Sequence, residues 1–347
     1  MLFRSGQAFR AWTRFGFGFL EVGPLTPEGI ASTSRIERRV DEQSLWIAEP
    51  GESVGLSELR TRLNTLKASR NRTPIFVRLA VRDPQAPSAS VSALTLLTDA
   101  LREQADFFTL ELPGAFPRWT PADWRMFWQA IATANDLSRL LLVVPADTHA
   151  EAATVAVAAL VEAGGGGVLV DGHVAAPGGR VHGPPARTAA LSCVRRLREA
   201  AGPALPIIAS GGIHQPADAK EFLDAGATFV QIDTGLIYSG PGLCKRINEA
   251  LLWQSVQQDL GAAPTPPLRP AECSWFWTAL LGVAMLLGSA LALIIASSRV
   301  VLPYDEAFCG WTRPQMQQFN PRLLSFLSHD RVTLAGTMVS IGVLRFE

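Results

Sequence analysis

The sequence predicts an α/β protein, a TIM-type (β/α)8 barrel incomplete at its N-terminus, followed by a C-terminal transmembrane helix. Strict alternation of short β-forming runs with longer helical stretches predicts a parallel sheet with helical crossovers. Seven such runs occur where a closed barrel needs eight. After a proline-rich break, the chain from Cys273 to Ser298 carries no charge at all, and at ~1.5 Å per residue that is long enough to cross a bilayer.

The chain opens on MLFRSGQAFRAWTRFGFGF, with Arg4, Arg10 and Arg14 and no acid. Phe9 and Trp12 stand about one helical turn apart, so the stretch reads as an amphipathic helix packed on the domain. It lacks the long apolar core and small-residue cleavage site of a secretory leader. It leads into what would be the second barrel strand, and no opening strand is expected before it.

The strand-forming runs are FGFLEVG (17–23), PIFVRLAV (74–81), DFFTLEL (106–112) and RLLLVVPAD (139–147), then GVLVDGHV (167–174), PIIASGGI (206–213) and TFVQIDTG (228–235). Between them, Thr120-Pro-Ala-Asp123 and Thr148-His-Ala-Glu151 both predict capping boxes, the first with proline at the first helical position. An open doubly wound sheet would need a glycine fingerprint after its first strand, but GFGFLEVG runs into Pro24 and a loop. The barrel is therefore the expected form.

The domain boundaries follow composition. Residues 1–262 mix apolar and charged residues as a barrel does, and 263–272 form a proline-rich linker. Residues 273–301 hold the transmembrane helix, with Trp275 and Trp277 where an interfacial aromatic belt would lie. Residues 302–331 are expected to be an extramembrane loop, and the apolar run inside 332–347 to be the start of a second transmembrane helix. A barrel preceding its first membrane helix, with no secretory signal, is expected on the cytoplasmic side. The arginines Arg299, Arg313, Arg322 and Arg331 argue the other way, because they all follow the helix.

Acids and bases balance at 31 each, so nothing in the charge points to nucleic acid. The cysteines Cys193, Cys244, Cys273 and Cys309 are too far apart in sequence for a metal knuckle or redox pair, and no metal is expected.

In such barrels ligands sit at the C-terminal strand ends, and phosphate is often held by the last two strand-to-helix loops. Gly211 and Gly212 end the seventh run, and Thr234 with Gly235 end the eighth, so backbone N–H groups and a hydroxyl could converge on a dianion. A tight strand-to-helix turn would demand the same glycine pair. Ser210 and Asp233 flank the place, and Asp233 would repel a phosphate unless its side chain turns into the barrel wall.

The stretches GFGFLEVGPLTP, ADFFTLEL, GGRVHG and PIIASGGIHQPADAKEFLDAGATFVQIDTGLIYSGPGLCKRINEAL resemble membrane-associated, quinone-dependent dihydroorotate dehydrogenase over residues 10–260. The resemblance implies an FMN-binding barrel that oxidises dihydroorotate to orotate in pyrimidine synthesis and passes electrons to a quinone. It implies that Gly179, Gly211, Gly212, Thr234 and Gly235 hold FMN, although Asp233 replaces a tyrosine. Membrane lipid would be a further partner, and the family's usual anchor is N-terminal whereas this one is C-terminal.

The reacting end departs from the family. Where an Asn-x-Ser-Ser-Pro-Asn segment should carry the base serine, this chain has Glu111-Leu-Pro-Gly-Ala-Phe116. Arg78 replaces an asparagine against the flavin, Leu142, Val143 and Val144 offer no lysine, and Asp171-Gly172-His173 replaces Thr-Asn-Thr. Oxidation needs a base for the C5 proton while hydride leaves C6. The catalytic residues stay unassigned. Glu111 and His173 are candidate bases, and Arg78 a candidate for binding a carboxylate or stabilising reduced flavin. Against these, Glu111 and Arg78 on neighbouring strands would pair with each other, and His173 would be a solvated loop histidine. Trp124 and Trp128, at i,i+4, read as packing. Two functions stand: an FMN-type oxidoreductase with impaired or altered catalysis, and a non-catalytic membrane-tethered barrel acting as a binding or scaffold module.

Overall fold

Leu140–Pro145 is apolar throughout and buried at every position. A strand reaches that state when successive side chains meet two different layers, one row inside a barrel and the next under helices. Ile75–Ala80 and Gly167–Asp171 are buried throughout as well. In the computed structural model, which describes residues 2–3, 12–30, 35–48, 53, 55–67, 73–81, 86–260 and 274–345, these runs form the centre of one parallel sheet.

In chain order the strands are β1 (Leu2–Phe3), β2 (Leu20–Leu25), β3 (Ile36–Arg39), β4 (Ser44–Ala48), β5 (Ile75–Ala80) and β6 (Phe107–Glu111). They continue as β7 (Leu140–Pro145), β8 (Gly167–Asp171), β9 (His173–Ala176), β10 (Gly179–His182), β11 (Ile207–Ala209) and β12 (Phe229–Val230). The large sheet runs β1-β2-β5-β6-β7-β8-β11-β12. The helices Leu56–Lys67, Pro87–Leu101, Pro121–Ala132, Ala150–Ala163, Arg187–Ala201 and Pro216–Asp224 supply the crossovers.

Each strand-forming run found in the sequence is a strand, with two corrections. Leu2–Phe3 pairs in parallel with Glu21 and Val22, so a two-residue first strand exists where none was expected. Among the described residues no ladder joins β12 to β1, so the sheet curls without hydrogen-bonded closure and the barrel is incomplete at this seam. GVLVDGHV is not one strand but two, broken at Gly172, whose Cα sits against the Ser210 carbonyl where a Cβ would collide. The helix expected to hold Phe9 falls on residues 4–11, outside the described residues. Trp12 packs against the main core and meets Phe15 and Phe17 at centroid distances of 5.3 and 6.2 Å.

Strand period divides the sheet's inner face into two layers. Toward the strand starts, Phe76, Leu141, Val143, Leu169 and Ile208 form an apolar cluster with Phe19 and Phe107. One pleat repeat further along, the inward positions turn polar: Glu21, Arg78, Thr109, Glu111 and Asp171. The outward rows, including Val77, Leu79, Leu110, Leu142, Val144 and Val170, join the helices in the main core.

Thr120 caps Pro121–Ala132 as expected, accepting a hydrogen bond from the Asp123 N–H while the Asp123 carboxylate accepts from the Thr120 N–H. That helix buries Trp124 and Trp128 fully, and their role is packing, beside Phe127 and, for Trp124, Phe116 and Trp119. The second expected box does not form. Ala150–Ala163 starts one residue later, with His149 at its N-cap and no side-chain cap, and the Thr148 N–H closes a turn onto Pro145.

A second, antiparallel sheet of order β3-β4-β10-β9 lies across the C-terminal strand ends and was not foreseen. Its β9–β10 hairpin pairs His173 with His182.

Residues Gln258–Glu347 form a second compact unit. Its helix Ser274–Ser298 includes Phe276–Ser298, which is long and apolar enough to cross a membrane, an 18-residue window within it having a mean hydropathy of 2.5. The linker at 263–272 lies outside the described residues. The stretch expected to be a loop is helical, as Pro303–Cys309, Arg313–Phe319 and the beginning of Pro321–Val343. The helix expected from Val332 therefore begins eleven positions earlier and includes Arg322, Asp330 and Arg331. It packs on Ser274–Ser298, with the Ser289 hydroxyl donating to the Ala335 carbonyl at 2.9 Å and Ser328 to Ala296 at 3.1 Å. Gly342 admits the side chain of Leu286 at this contact.

Candidate functional site

Arg78 enters from the middle of β5, where the pleat turns it inward, and it is 2% exposed. Its guanidinium donates from Nε to Glu21 Oε1 at 3.2 Å, from Nη2 to Glu21 Oε2 at 3.0 Å and from Nη1 to Asp171 Oδ2 at 2.7 Å. The first two bonds make a bidentate pair with the β2 carboxylate, and the third reaches the end of β8. Glu21 is saturated: the Thr109 hydroxyl also donates to Oε1, and the Gln231 amide donates to Oε2 at 2.6 Å.

The pairing expected between Arg78 and Glu111 is present at 3.7 Å, but it is the weakest contact of the guanidinium. Glu111 is held more closely from the rim by Arg180 of β10, Nη1 to Oε1 at 3.3 Å. Burial alone would lower the Arg78 pKa, but Asp171, Glu21 and Glu111 hold it protonated well above its ordinary value. Burial alone would raise the Asp171 carboxyl; the Arg78 charge, with smaller help from His173 and His182, holds it well below.

His173 is not a solvated loop residue. It is 3% exposed, with Nδ1 at 3.4 Å from Asp171 Oδ2 but without hydrogen-bond geometry, and its ring lies 5.5 Å from that of His182. On the other side it lines a cavity of about 360 Å³, together with Arg180, Gly179, His149, Asp147 and Phe116. From the barrel centre to the rim, polar groups thus follow one another as Glu21, Arg78, Asp171, His173 and His182, and His182 Nδ1 lies 3.8 Å from Asp233 Oδ2.

Asp233 does not turn into the wall. Its carboxylate accepts from the Thr234 N–H at 2.6 Å and from the Thr234 hydroxyl at 3.2 Å, the two groups expected to meet a phosphate. The Thr234 hydroxyl also meets His214 Nε2 at 2.9 Å, and His214 Nδ1 meets Gln43 Oε1 at 3.2 Å. Burial lowers the His214 pKa, with a smaller opposing push from Asp233.

The glycines lie where the sequence put them, against backbone. Gly211 and Gly212 follow β11 with φ of 128° and 66°, and a Cβ on Gly212 would stand 2.6 Å from the Pro184 Cα. A Cβ on Gly235 would strike the Ile213 carbonyl oxygen. Gly179 sits inside β10, paired with Ala48 and Ala176, and a Cβ there would strike the Ile47 carbonyl. Ser210 is likewise occupied, accepting from the Gly172 N–H at 3.0 Å. Among the described residues no His, Cys, Asp or Glu cluster could hold a metal ion.

Comparison with known proteins agrees with the curled sheet. The family model described as Dihydroorotate dehydrogenase matches residues 165–253. Dihydroorotate dehydrogenase (quinone) of Chloroflexus aurantiacus is 32% identical over 287 residues, covering 74% of this chain and 78% of that protein. The chain belongs to the dihydroorotate dehydrogenase family. The corresponding quinone enzyme of Prochlorococcus marinus is 30% identical, covering 72% of this chain and 71% of its own. The crystal structure of the Eimeria tenella enzyme in complex with ferulenol superposes with a TM-score of 0.64 at 19% identity, over 75% of this chain and 81% of that one, and shares its fold.

The residues at the barrel mouth do not fit the FMN that the family resemblance implies. At the phosphate end the Thr234 donors hold a carboxylate, which would repel a dianion. Toward the barrel centre, Arg78 has Nε, Nη1 and Nη2 all committed to carboxylates and cannot turn to a flavin without unpairing Glu21 or Asp171.

The sequence reading missed Glu21, Gln231, Arg180 and His214. The first two had a signal, since a carboxylate or amide inside an otherwise apolar strand must find an inward partner.

Replacing Arg78 with leucine is expected to cost about 3–5 kcal/mol in denaturant unfolding, because two buried carboxylates lose their cation. The folded Asp171 pKa is depressed, so its contribution is fully present above the ordinary carboxylate value of about 3.9 and is lost as pH falls through the folded value. Stability should therefore drop steeply below about pH 4, and less steeply in Asp171→Asn, when unfolding is followed across that range.

Proposed function

We propose that this chain is a membrane-anchored barrel of the dihydroorotate dehydrogenase family in which oxidation of dihydroorotate to orotate, with FMN as cofactor and quinone as acceptor, is severely impaired. It works instead as a tethered binding module. The observation that carries this reading is the Arg78 guanidinium locked between Glu21 and Asp171. Family membership supports an origin among the oxidoreductases of pyrimidine synthesis, but the residues that would run the reaction are of the wrong kind.

Proton removal from C5 needs a base free to accept. Both Glu111 oxygens face guanidinium groups, Oε2 toward Arg78 and Oε1 toward Arg180. A developing negative charge on reduced cofactor needs a nearby cation, and the Arg78 charge is already offset by two carboxylates. A general base typically contributes ~10²–10⁴-fold, so its loss alone leaves little turnover.

A second reading, altered chemistry at His173, is favoured by one observation: its ring lines the cavity of about 360 Å³ next to Arg180. The two are separated by supplying detergent-solubilised protein with excess FMN, dihydroorotate and a short-chain quinone and following orotate formation. No orotate above a protein-free control is expected. Rapid orotate formation abolished by His173→Ala or Glu111→Gln would overturn the binding-module reading and name the base.

The anchor is supported by the uncharged span Phe276–Ser298, most of whose apolar window is not buried within the protein. Its exposed leucines and Trp277 suit contact with lipid chains and headgroups. We place the barrel on the cytoplasmic side. Protease added to intact spheroplasts is expected to leave the barrel whole, and external digestion would reverse the orientation.

A further inference from the structure

The segment after the apolar helix is built the wrong way round for water. In Pro303–Cys309, Arg313–Phe319, the turn between them and the first turns of Pro321–Val343, the large aromatic side chains point outward: Phe308 is 91% exposed, Phe319 73%, Phe326 66%, Tyr304 65% and Trp311 43%. Tyr304 and Phe308, at i,i+4, share a helix face. Trp311 and Phe319 meet edge-on at 5.1 Å, bridging the two short helices.

The polar groups of the same segment are meanwhile spent on one another. Arg331 pairs with Asp305 at 2.5 Å, Glu306 accepts from the Arg313 N–H at 2.8 Å, and the Gln315 side chain accepts from the Thr312 N–H at 2.8 Å. Such bonds fix the short helices as a folded piece with a defined outer face, so the exposure of the aromatics belongs to the fold itself. Arg299, Arg313 and Arg322 are exposed alongside them. Aromatic rings with a polar tip or neighbour, mixed with arginines, are the composition of the headgroup boundary of a bilayer. Continuity chooses the occupant: the segment emerges within a few residues of Ser298, the end of a helix apolar enough to span.

We propose that residues 303–326 lie in the bilayer interface as a second, in-plane anchor, with Tyr304, Phe308, Trp311, Phe319 and Phe326 inserted at the headgroup–acyl boundary. This rests on the membrane-anchored reading above. The stretch is then neither a free aqueous loop nor a spanning element. It holds the exit end of the spanning helix at a fixed depth.

Cys309 reports the depth directly, since it is exposed whereas Cys193 and Cys244 are buried. In the full chain carrying Cys273→Ser, an environment-sensitive fluorophore is attached to Cys309 after reconstitution into vesicles of phosphatidylcholine and phosphatidylglycerol. Carbonate extraction first establishes insertion. The expected result is blue-shifted emission, quenched by nitroxides placed shallow on the acyl chain and shielded from aqueous iodide. The comparison is the same label on Arg195→Cys of the barrel surface, made with Cys309→Ser. Adding Tyr304→Ser and Phe308→Ser should shift the Cys309 label toward water while carbonate resistance is retained. Iodide quenching equal to the Arg195 position would overturn the proposal, and so would strongest quenching by nitroxides near the bilayer centre. Loss of the protein in carbonate would defeat the membrane reading and the interfacial anchor with it.

Discussion

A guanidinium that is 2% exposed must be matched by buried carboxylates, and most of the barrel mouth follows from how Arg78 is matched. Glu21 from β2 and Asp171 from β8 close on it from different strands, so the ion cluster ties the two sides of the curled sheet together. Glu21 in turn fixes Thr109 and Gln231, which lie on β6 and just past β12. Among the buried side-chain atoms of Glu21, Arg78, Thr109 and Gln231, all but Gln231 Oε1 have a hydrogen-bond partner, and that near-completeness is what lets charges persist in a low-dielectric interior. The same completeness removes freedom: no member can turn to a ligand without leaving another unpaired.

At the rim the glycines serve close backbone packing. Residues that resemble a phosphate cradle are retained, yet Gly212 faces the Pro184 backbone and Gly235 the Ile213 carbonyl, and the Asp233 carboxylate takes the Thr234 donors. A glycine pair after a strand meets two demands, closeness to a ligand and closeness to backbone, and in this chain the second is satisfied internally. On the function proposed above, family fold and family chemistry part here, as the separation of scaffold from site allows.

The barrel strands were legible because apolar runs of strand length between capped helices have few alternatives. Leu2–Phe3 was not, since a two-residue strand owes its existence to its partner and not to its own pattern. The antiparallel sheet was missed for a related reason: IERR is exposed and polar, and GGRVHG carries two glycines, so neither shows a buried period. Thr148 matched a capping pattern that the turn onto Pro145 pre-empted. At the site, the Arg78–Glu111 pairing was readable from neighbouring strands, but its secondary rank was not, because Glu21 and Asp171 are brought in by sheet curvature from 57 and 93 positions away. The segment at 302–331 was expected to be a loop, but its prolines Pro303, Pro314 and Pro321 are helix starts.

The central claim is that the ion cluster and the Asp233 cap engage the donors that a flavin would need. Flavin retention measures this most directly: the protein is incubated with excess FMN, passed through a desalting column and scanned for flavin absorbance. The account predicts colourless protein with all flavin in the small-molecule fraction. Co-elution of FMN in stoichiometric amount would contradict it.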